Sequence, residues 1–291
     1  MTTDPAEIAV TAESAETAVS FANIANAETA ATPVRAANTV TSSAPTPYLD
    51  LVAATRPARA YKHELLKALC IGSGDVVLDL GCGPATDLAA LADEAGPAGR
   101  VIGIDQDPAM VATARARIAV YPNVEVREAD AHHLPLEPAS IDRARVDRVL
   151  MHVADPDAVL AELRRVLRPG GLLALAEPDW DTLAIDHPDL DLARSFTSYI
   201  AKRANRNQAI GRQLPRLAAQ AGFTVRAVRN AAAVLTDFDA AEAILGLRRN
   251  TERAVAAGFL TAAEGGAWLE HLTGGGTFFA TVSLITVLGA A

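Results

Sequence analysis

The sequence predicts an α/β protein with a doubly wound sheet, and two short segments carry that prediction. Residues 76–80 (VVLDL) run into a glycine turn at Gly81 and Gly83, and an apolar helical pattern resumes at Leu88. This order of strand, tight turn and helix is typical of a first βα unit, where glycines allow positive φ and let a ligand approach bare backbone. Residues 101–105 (VIGID) indicate a second strand that ends in an acid. We therefore expect a ligand over the glycine turn.

The side chains around this turn favour a ligand that carries an ammonium group and a ribose. A dinucleotide-binding turn has a third glycine, whereas this chain has Thr86 at that position. Asp79 lies two residues before the first glycine, where a carboxylate would repel a pyrophosphate and attract an ammonium group. Asp105 ends the second strand, where one carboxylate can accept hydrogen bonds from both ribose hydroxyls. A ribose and an ammonium group without phosphate describe S-adenosylmethionine.

Five sequence blocks resemble one enzyme class. In chain order they are VVLDLGCGPATDL, VIGIDQDPAMV, READAHHLPL, IDRARVDRVLMHVADP and VLRPGGLLALAEPDW, which together cover about residues 75–180. In these blocks the chain resembles the class I S-adenosylmethionine-dependent methyltransferases, especially the small-molecule branch that includes ubiquinone and menaquinone methylases. It departs from many relatives at Pro84-Ala85, where they carry Thr-Gly, although a small residue still fits the turn. The resemblance implies a mostly parallel, seven-stranded Rossmann-like sheet with helical lid insertions, whose last strand lies antiparallel between the fifth and sixth.

Composition limits the class of protein and of partner. The chain has 291 residues, half of them hydrophobic, which is enough for the core of one large catalytic domain. Its net charge of −9 argues against a nucleic-acid partner. Its two cysteines, Cys70 and Cys82, indicate neither a disulfide framework nor a zinc site. The sequence contains no apolar run long enough for a membrane span and no pattern of a secretion signal, so we expect a cytoplasmic protein without a membrane partner.

Residues 1–45 differ in composition from the rest of the chain. They are rich in Ala, Thr, Ser and Glu and have few large side chains, so burial would not offset the entropy lost on ordering. We expect a largely disordered tail, although a weak helical pattern leaves a docking helix open. Residues 46–291 would form the methyltransferase domain, with lid elements at about 46–72, 181–208 and 238–275.

The resemblance also assigns residues to the cofactor. Met110, on a helix that starts at Pro108, is expected to pack on the adenine. Asp130 follows a short third strand at 124–126, where its side chain would accept a hydrogen bond from the exocyclic amine or simply serve a turn. The expected cofactor-binding residues are Asp79, Gly81, Cys82, Gly83, Asp105, Gln106, Met110, Asp130, Ala131 and Asp147.

The predicted fourth strand, within residues 143–153, alternates charged and apolar residues. By the resemblance, Asp147 and Arg148 lie just past its end, beside the methyl donor, where they would orient a substrate group or pair with each other. His152 is expected on the following helix, in a structural or cofactor-facing role or as a general base. These three residues are the candidate catalytic residues.

Three aromatic residues are candidates for contact with the substrate. Tyr48 and Tyr61 lie on two predicted helices that cover the cofactor in relatives, although their spacing also fits core packing. Trp180 follows the fifth strand, predicted at 172–176, within the cluster Glu177–Asp181 that we expect to leave the sheet. There it is placed to stack on a planar substrate.

The sequence therefore predicts direct in-line transfer of a methyl group from S-adenosylmethionine to a small-molecule acceptor, such as a quinone or a secondary metabolite. Because the sulfonium is already an activated leaving group, alignment matters more than a strong base. Two alternatives stay open. One is a relative that binds the cofactor but catalyses a cyclisation or rearrangement, and the other is a ligand-binding protein without turnover. No metal is expected, and homodimer formation is left open.

Overall fold

The computed structural model describes residues 45–204 and 206–291, and the structural statements below concern these residues. The predicted tail, residues 1–45, lies outside them except for Pro45, so its disorder stays a prediction. Within the described residues, no helix combines the length and the apolar composition that crossing a membrane requires.

Seven strands of the described chain form one sheet. They are β1 (Val76–Leu80), β2 (Arg100–Asp105), β3 (Val124–Glu128), β4 (Ile141–Asp147), β5 (Leu167–Ile185), β6 (Thr224–Leu235) and β7 (Ala280–Ala290). Their order across the sheet is β3-β2-β1-β4-β5-β7-β6. The first five strands pair in parallel, whereas β7 is antiparallel to both β5 and β6. This order confirms the mostly parallel sheet and the antiparallel last strand that the resemblance implied.

Ten α-helices connect or flank the described strands. They are α1 (Pro45–Ala54), α2 (Arg56–Leu69), α3 (Leu88–Ala95), α4 (Pro108–Arg117), α5 (Pro156–Val166), α6 (Leu190–Tyr199), α7 (Ile210–Gln220), α8 (Phe238–Leu245), α9 (Leu247–Ala256) and α10 (Ala262–Thr273). The starts of α4 and α5 follow directly from the sequence. Asp107 and Asp155 each precede a proline and accept a hydrogen bond from a backbone N–H of the first turn, which is a favourable N-terminal cap.

Helices cover both faces of the sheet because successive strand side chains point to opposite faces. Leu78 of β1 packs in a core with α5 and α7, whereas Val77 packs with α3 and α4. Leu65 of α2 packs on β5 in a further cluster. Asp79 is two residues after Val77 and therefore faces the same side as Val77.

A second large core lies at the carboxyl end of β5 and the amino end of β7, where α6, α8, α9 and α10 pack together. Trp268 of α10 is fully buried, and its ring stacks on that of Phe196 in α6 with 4.8 Å between the centroids. These helices lie within the segments 181–208 and 238–275. Their role as a lid stays a prediction.

The fifth strand extends further than the sequence predicts. We expect Glu177–Asp181 to leave the sheet, but Glu177 and Asp179 both pair with β7, so that expectation is wrong for them. The antiparallel β7 supplies their backbone partners, and Arg212 neutralises the buried Asp179, with Nη2 2.7 Å from Oδ1. The ladder is irregular between Asp179 and Ala184.

The prediction that His152 lies on a helix is also wrong. Residues 148–155 form an irregular connection between β4 and α5. Pro156 fixes the first turn of α5 and Asp155 caps it, so the helix begins four residues after His152.

Candidate cofactor and acceptor site

A cavity of about 740 Å³ opens at the carboxyl ends of β1, β2, β4 and β5. This is the edge where ligands bind in open α/β sheets, because the connections from neighbouring strands leave in opposite directions there. All ten predicted cofactor-binding residues line the cavity: Asp79, Gly81, Cys82, Gly83, Asp105, Gln106, Met110, Asp130, Ala131 and Asp147. Their binding roles stay predictions, but the fold brings them to one place.

The glycine turn after β1 has the conformation that the sequence predicts. Gly81 and Gly83 have φ of 72° and 52°, a region that glycine adopts without steric cost. Gly81 N and Cys82 N both donate to the carbonyl of Ile104 in β2, at 2.7 and 3.0 Å. A Cβ atom at Gly81 would clash with the side chain of Val149. The turn is therefore fixed against β2 on one side and against the chain after β4 on the other.

Asp105 is held by the backbone at both of its carboxylate oxygens. Oδ2 accepts from Gly83 N at 2.8 Å and Oδ1 accepts from Asp107 N at 2.9 Å. Each carboxylate oxygen can accept a second hydrogen bond. The carboxylate is thus oriented in advance, with capacity left for two hydroxyls of a ligand.

A buried group of charges lies beneath α2. Asp79 of β1 and Arg145 of β4 are neighbours in the parallel register, and both are almost completely buried. Arg145 Nη1 lies 2.9 Å from Asp79 Oδ1, while Nη2 lies 2.6 Å from Asp147 Oδ2 and 2.9 Å from Asp87 Oδ2. Lys62 of α2 pairs with Asp87 at 2.6 Å. One arginine therefore connects three carboxylates at the floor of the cavity.

The two oxygens of Asp79 differ in a way that tests the fit of the cofactor. Oδ1 binds Arg145, whereas Oδ2 is buried without a hydrogen-bond partner among the described residues. Burial raises the pKa of Asp79 to about 6, a rise that the Arg145 guanidinium limits. A buried acceptor without a partner is costly. The ammonium group of S-adenosylmethionine has the charge and the donors that this oxygen lacks, so the residues present fit the cofactor.

The neighbouring titratable groups respond differently to the same burial. Asp87 is also desolvated, but the charges of Arg145 and Lys62 outweigh that effect and lower its pKa to about 2. Burial raises the pKa of the Cys82 thiol, and the charges of Asp79 and Asp105 raise it further. Asp87 therefore stays ionised and Cys82 stays a thiol at neutral pH.

We call the part of the cavity that contains the glycine turn and the carboxylates the cofactor half. It is also lined by Gln106, Met110, Asp130 and Ala131. Met110 is buried on α4. Asp130 Oδ1 accepts from the backbone N–H of His132 at 2.9 Å and contacts its ring Nδ1 at 2.6 Å. The hydrogen bond from His132 N is the main reason that the pKa of Asp130 is lowered. Asp130 therefore serves a turn and faces the cavity as well.

The three candidate catalytic residues all line the cavity at the end of β4. Tyr61 OH donates to both oxygens of Asp147 at 3.1 Å, and Arg148 Nε lies 3.4 Å from Asp147 Oδ1. Asp147 and Arg148 therefore pair with each other, one of the two alternatives left open above. His152 lies on the same irregular 148–155 connection as Arg148. Burial, and secondly the charge of Arg148, lower its pKa, so its imidazole is neutral at neutral pH.

The other half of the cavity is apolar. The break in the β5 ladder places Trp180 and Leu183 in its wall together. The rest of the wall includes small and aliphatic residues from β6, α8 and β7, namely Ala231, Ala232, Ala233, Leu235, Ile244, Leu245, Ala280, Val282 and Leu284, and Thr281 and Arg206 also line the cavity. Tyr48 lies within α1, but its side chain is outside the described part of the structure. Its contact with the substrate therefore stays a prediction.

Sequence reasoning missed three buried or half-buried charged residues at this site. They are Lys62, Asp87 and Arg145. One signal was present, because the alternation of charged and apolar residues in β4 places Arg145 and Asp147 on one face of the strand. That the partner of Arg145 is Asp79 depends on strand order, which local periodicity does not contain.

Comparison with known proteins identifies the class. A family described as a methyltransferase domain matches residues 71–222, just over half of the chain. The chain belongs to this family, and its fold and site define an S-adenosylmethionine-dependent methyltransferase.

Two curated relatives illustrate the range of similarity. The chain is 54% identical over 244 residues to an uncharacterized 37.1 kDa protein of transposon TN4556 from Streptomyces fradiae, a match that covers 84% of this chain and 70% of that protein. It is 34% identical over 125 residues to the demethylmenaquinone methyltransferase of Lactobacillus johnsonii, which covers 42% of this chain and 51% of that enzyme. The chain thus spans about half the length of the demethylmenaquinone methyltransferases that it matches.

The fold has solved counterparts. The YcgJ protein of Bacillus subtilis aligns with a TM-score of 0.59 and 16% identity, over 79% of this chain and 98% of that one. At this identity the likeness concerns the fold.

Proposed function

We propose that this protein transfers a methyl group from S-adenosylmethionine to an apolar small-molecule acceptor by direct in-line displacement. One observation carries the proposal. One cavity joins a half rich in carboxylates, where Asp79 Oδ2 lacks a hydrogen-bond partner among the described residues, to an apolar half beside Trp180. The first half suits a cationic amino-acid cofactor, and the second suits a hydrophobic molecule.

The chain's own residues would hold the cofactor by groups already in place. Asp79 would receive the ammonium group, Asp105 the ribose hydroxyls, and Met110 would pack on the adenine. When bound, S-adenosylmethionine supplies an activated methyl group. The remaining task of the protein is to orient the acceptor and to exclude water, and alignment of this kind contributes on the order of 7 to 11 kcal/mol to lowering a barrier.

The acceptor would lie against Trp180 and the aliphatic wall from β6 and β7. An indole ring and small aliphatic side chains favour a planar or extended hydrophobic molecule. A hydroxyl on such a molecule could pass its proton to the neutral imidazole of His152. The similarity to demethylmenaquinone methyltransferases supports a quinone-like acceptor. A secondary metabolite of similar shape fits the same wall.

The test is an assay of S-adenosylhomocysteine release with a panel of phenols, naphthols and reduced quinones, combined with mass spectrometry of the products. We expect release only with an acceptor, together with a product heavier by one methyl group in place of a hydrogen. A product of unchanged mass formed without that release would contradict methyl transfer and favour a cyclisation. Cofactor binding without any product would favour a binding protein.

A further inference from the structure

The connection between β4 and α5 carries two of the candidate catalytic residues but lacks regular secondary structure. We call residues 148–153 the 148–153 segment. Arg148 has φ of 58°, a left-handed conformation that costs energy in a non-glycine residue. Arg148 and His152 both line the cavity. Since no sheet or helix ladder pairs its backbone, other groups must supply its hydrogen bonds.

Glu177 supplies them from the side of β5. This residue is completely buried. Its Oε1 accepts from the backbone N–H groups of Val149 at 2.8 Å and Leu150 at 2.6 Å. The backbone N–H of Arg148 donates to the carbonyl of Ala176, the residue before Glu177, at 2.8 Å. Three successive N–H groups of the segment are therefore bound by two successive residues of β5.

Asn207 supplies hydrogen bonds for the carbonyl groups of the same segment. Its Nδ2 donates to Leu150 O at 2.8 Å and to Val153 O at 2.9 Å. Its backbone N–H donates to Met151 O at 3.1 Å. The segment is thus bound through its N–H groups by one side chain and through its carbonyl groups by another.

The segment also abuts the glycine turn of the cofactor half. The side chain of Val149 occupies the space that a Cβ atom at Gly81 would need. A shift of the segment would therefore alter the position of His152 and loosen this one contact, whereas Gly81 N and Cys82 N would still donate to Ile104 of β2.

We propose that Glu177 and Asn207 are positioning residues, which hold Arg148 and His152 in place for the transfer of the methyl group without touching the reactants. The inference rests on the proposed function. It accounts for a buried carboxyl group whose second oxygen, Oε2, has no hydrogen-bond partner among the described residues. Such a group costs stability, and its two bonds to the segment give it a role.

The protonation of Glu177 suggests an informative variant. Burial raises the pKa of this carboxyl to about 8, against the opposing effect of the bonds from Leu150 and Val149. At neutral pH the carbonyl oxygen of an uncharged carboxyl thus accepts both N–H groups. The amide of Glu177→Gln reproduces that oxygen at nearly the same size, whereas Glu177→Leu does not.

The experiment compares Glu177→Gln, Glu177→Leu and Asn207→Asp in the full chain. Asn207→Asp replaces the donor by an acceptor that repels the two carbonyl groups. This variant still tests the proposal if Glu177→Leu does not fold. Asn123→Asp is the matched control, because Asn123 Nδ2 also donates to a backbone carbonyl, that of Gly96, away from the cavity. Four readouts are used. Amide hydrogen exchange at 149–151 and NMR titration of the His152 ring are measured with S-adenosylhomocysteine bound. Calorimetry measures the affinity for S-adenosylhomocysteine, and kcat and KM are measured with a panel acceptor.

We expect Glu177→Gln and Asn123→Asp to match the parent protein. In Glu177→Leu and Asn207→Asp, exchange at 149–151 should be faster by about tenfold or more, and the pKa of His152 should rise towards its ordinary value as the ring leaves its buried site. Affinity for S-adenosylhomocysteine should change by less than about threefold. With a panel acceptor that gives turnover, kcat should fall by roughly tenfold with KM little changed, as for a small misplacement of a catalytic group.

Unchanged exchange and an unchanged His152 titration in both variants would overturn the proposal. A loss in Glu177→Gln equal to that in Glu177→Leu would also overturn it, because hydrogen-bond acceptance would then not be the role of Glu177. Faster exchange with unaltered kcat would show that the segment does not serve the reaction. If no panel acceptor gives turnover, the proposed function fails while the exchange and titration results still decide whether the two residues hold the segment.

Discussion

Arg145 shows how one residue can determine the charge of a whole site. It is buried between Asp79, Asp87 and Asp147, whose carboxylates would otherwise repel one another in a poorly solvated space. A buried charge pair is stable when its hydrogen bonds are complete and costly when one partner is removed. Among the described residues, one oxygen of Asp79 has no hydrogen-bond partner, so its pairing there is incomplete.

We predict that Asp105→Ala weakens S-adenosylmethionine binding by about 1.5 to 3 kcal/mol, the range for hydrogen bonds to a charged group. The reason is that Asp105 is fixed by Gly83 and Asp107 with capacity for two hydroxyls. Isothermal calorimetry measures the effect. Asp93→Ala, which removes an exposed acid on α3, serves as control. Equal affinity in a folded Asp105→Ala protein would refute the ribose assignment.

For His152→Ala we predict a modest fall in turnover, well below the hundredfold or so that loss of a general base typically costs. The physical reason is that methyl transfer depends mainly on alignment. The fall should be larger for a hydroxyl acceptor, whose proton must be removed, than for a nucleophilic carbon. Release of S-adenosylhomocysteine is measured for both acceptor types, with His63→Ala on the exposed side of α2 as control. A loss of a hundredfold or more would instead assign His152 as the base.

At the scale of elements, the antiparallel β7 shapes the apolar half of the cavity. Because it lies between β5 and β6, it extends the sheet beyond the parallel strands and provides a wall of aliphatic residues. Ala233 of β6 and Val282 of β7 are register partners and both line the cavity. The size of the side chain at such positions limits which acceptor fits.

Ala233→Phe should reduce turnover of bulky acceptors by roughly tenfold or more, since small changes of volume in an apolar pocket have effects of that order. Affinity for S-adenosylhomocysteine should not change, because Ala233 lies in the apolar half. Ala227→Phe on the same strand is the control, as Ala227 is half-buried but does not line the cavity. An equal loss of cofactor affinity and turnover in Ala233→Phe would mean that the two halves are not separate.

At the scale of the whole molecule, buried carboxyl groups of the site connect its chemistry to stability. Glu177 belongs to β5, binds the chain after β4 and faces the charge of Asp147. Its folded pKa of about 8 lies above the ordinary value of 4.5. The folded state therefore binds a proton more tightly than the unfolded state does.

We predict that the contribution of Glu177 to stability is fully present below pH 4.5 and is lost as pH rises towards about 8. In this window the folded state holds more protons than the unfolded state, so the free energy of unfolding falls with pH, by at most about 1.4 kcal/mol per pH unit for one proton. Urea unfolding at about pH 5.0 and about pH 7.5, near the two ends of this window, measures the slope of the free energy of unfolding against pH. Glu177→Gln should flatten it.

A carboxyl group whose pKa is shifted in the opposite direction provides the control for that experiment. Arg165 lowers the pKa of Glu162, so the stability from this pair is present above the ordinary pKa of Glu162 and is lost as pH falls. Glu162→Gln should therefore leave the slope between about pH 5.0 and about pH 7.5 as in the parent protein. A steeper fall in Glu177→Gln than in the parent protein would contradict the assignment of the raised pKa.

The sequence by itself determined the local features of this protein. The glycine turn at Gly81 and Gly83, the acid that ends β2, and the capped start of α4 each follow from neighbouring residues, because φ preferences, strand ends and helix caps are short-range effects. The resemblance added the strand order. Periodicity failed where the context was long-range, as in Glu177–Asp179, whose polar residues suggested a loop although they pair with β7.

Only the tertiary structure decided how the charged residues are paired. Asp79 and Arg145 are 66 residues apart and meet because β1 and β4 are adjacent in one register. Glu177 and Asn207 likewise bind one segment from separate elements. A buried charge or amide is stable only with its partner at hydrogen-bond distance. Which residue fills that place depends on strand order and register, and no local pattern of residues records either.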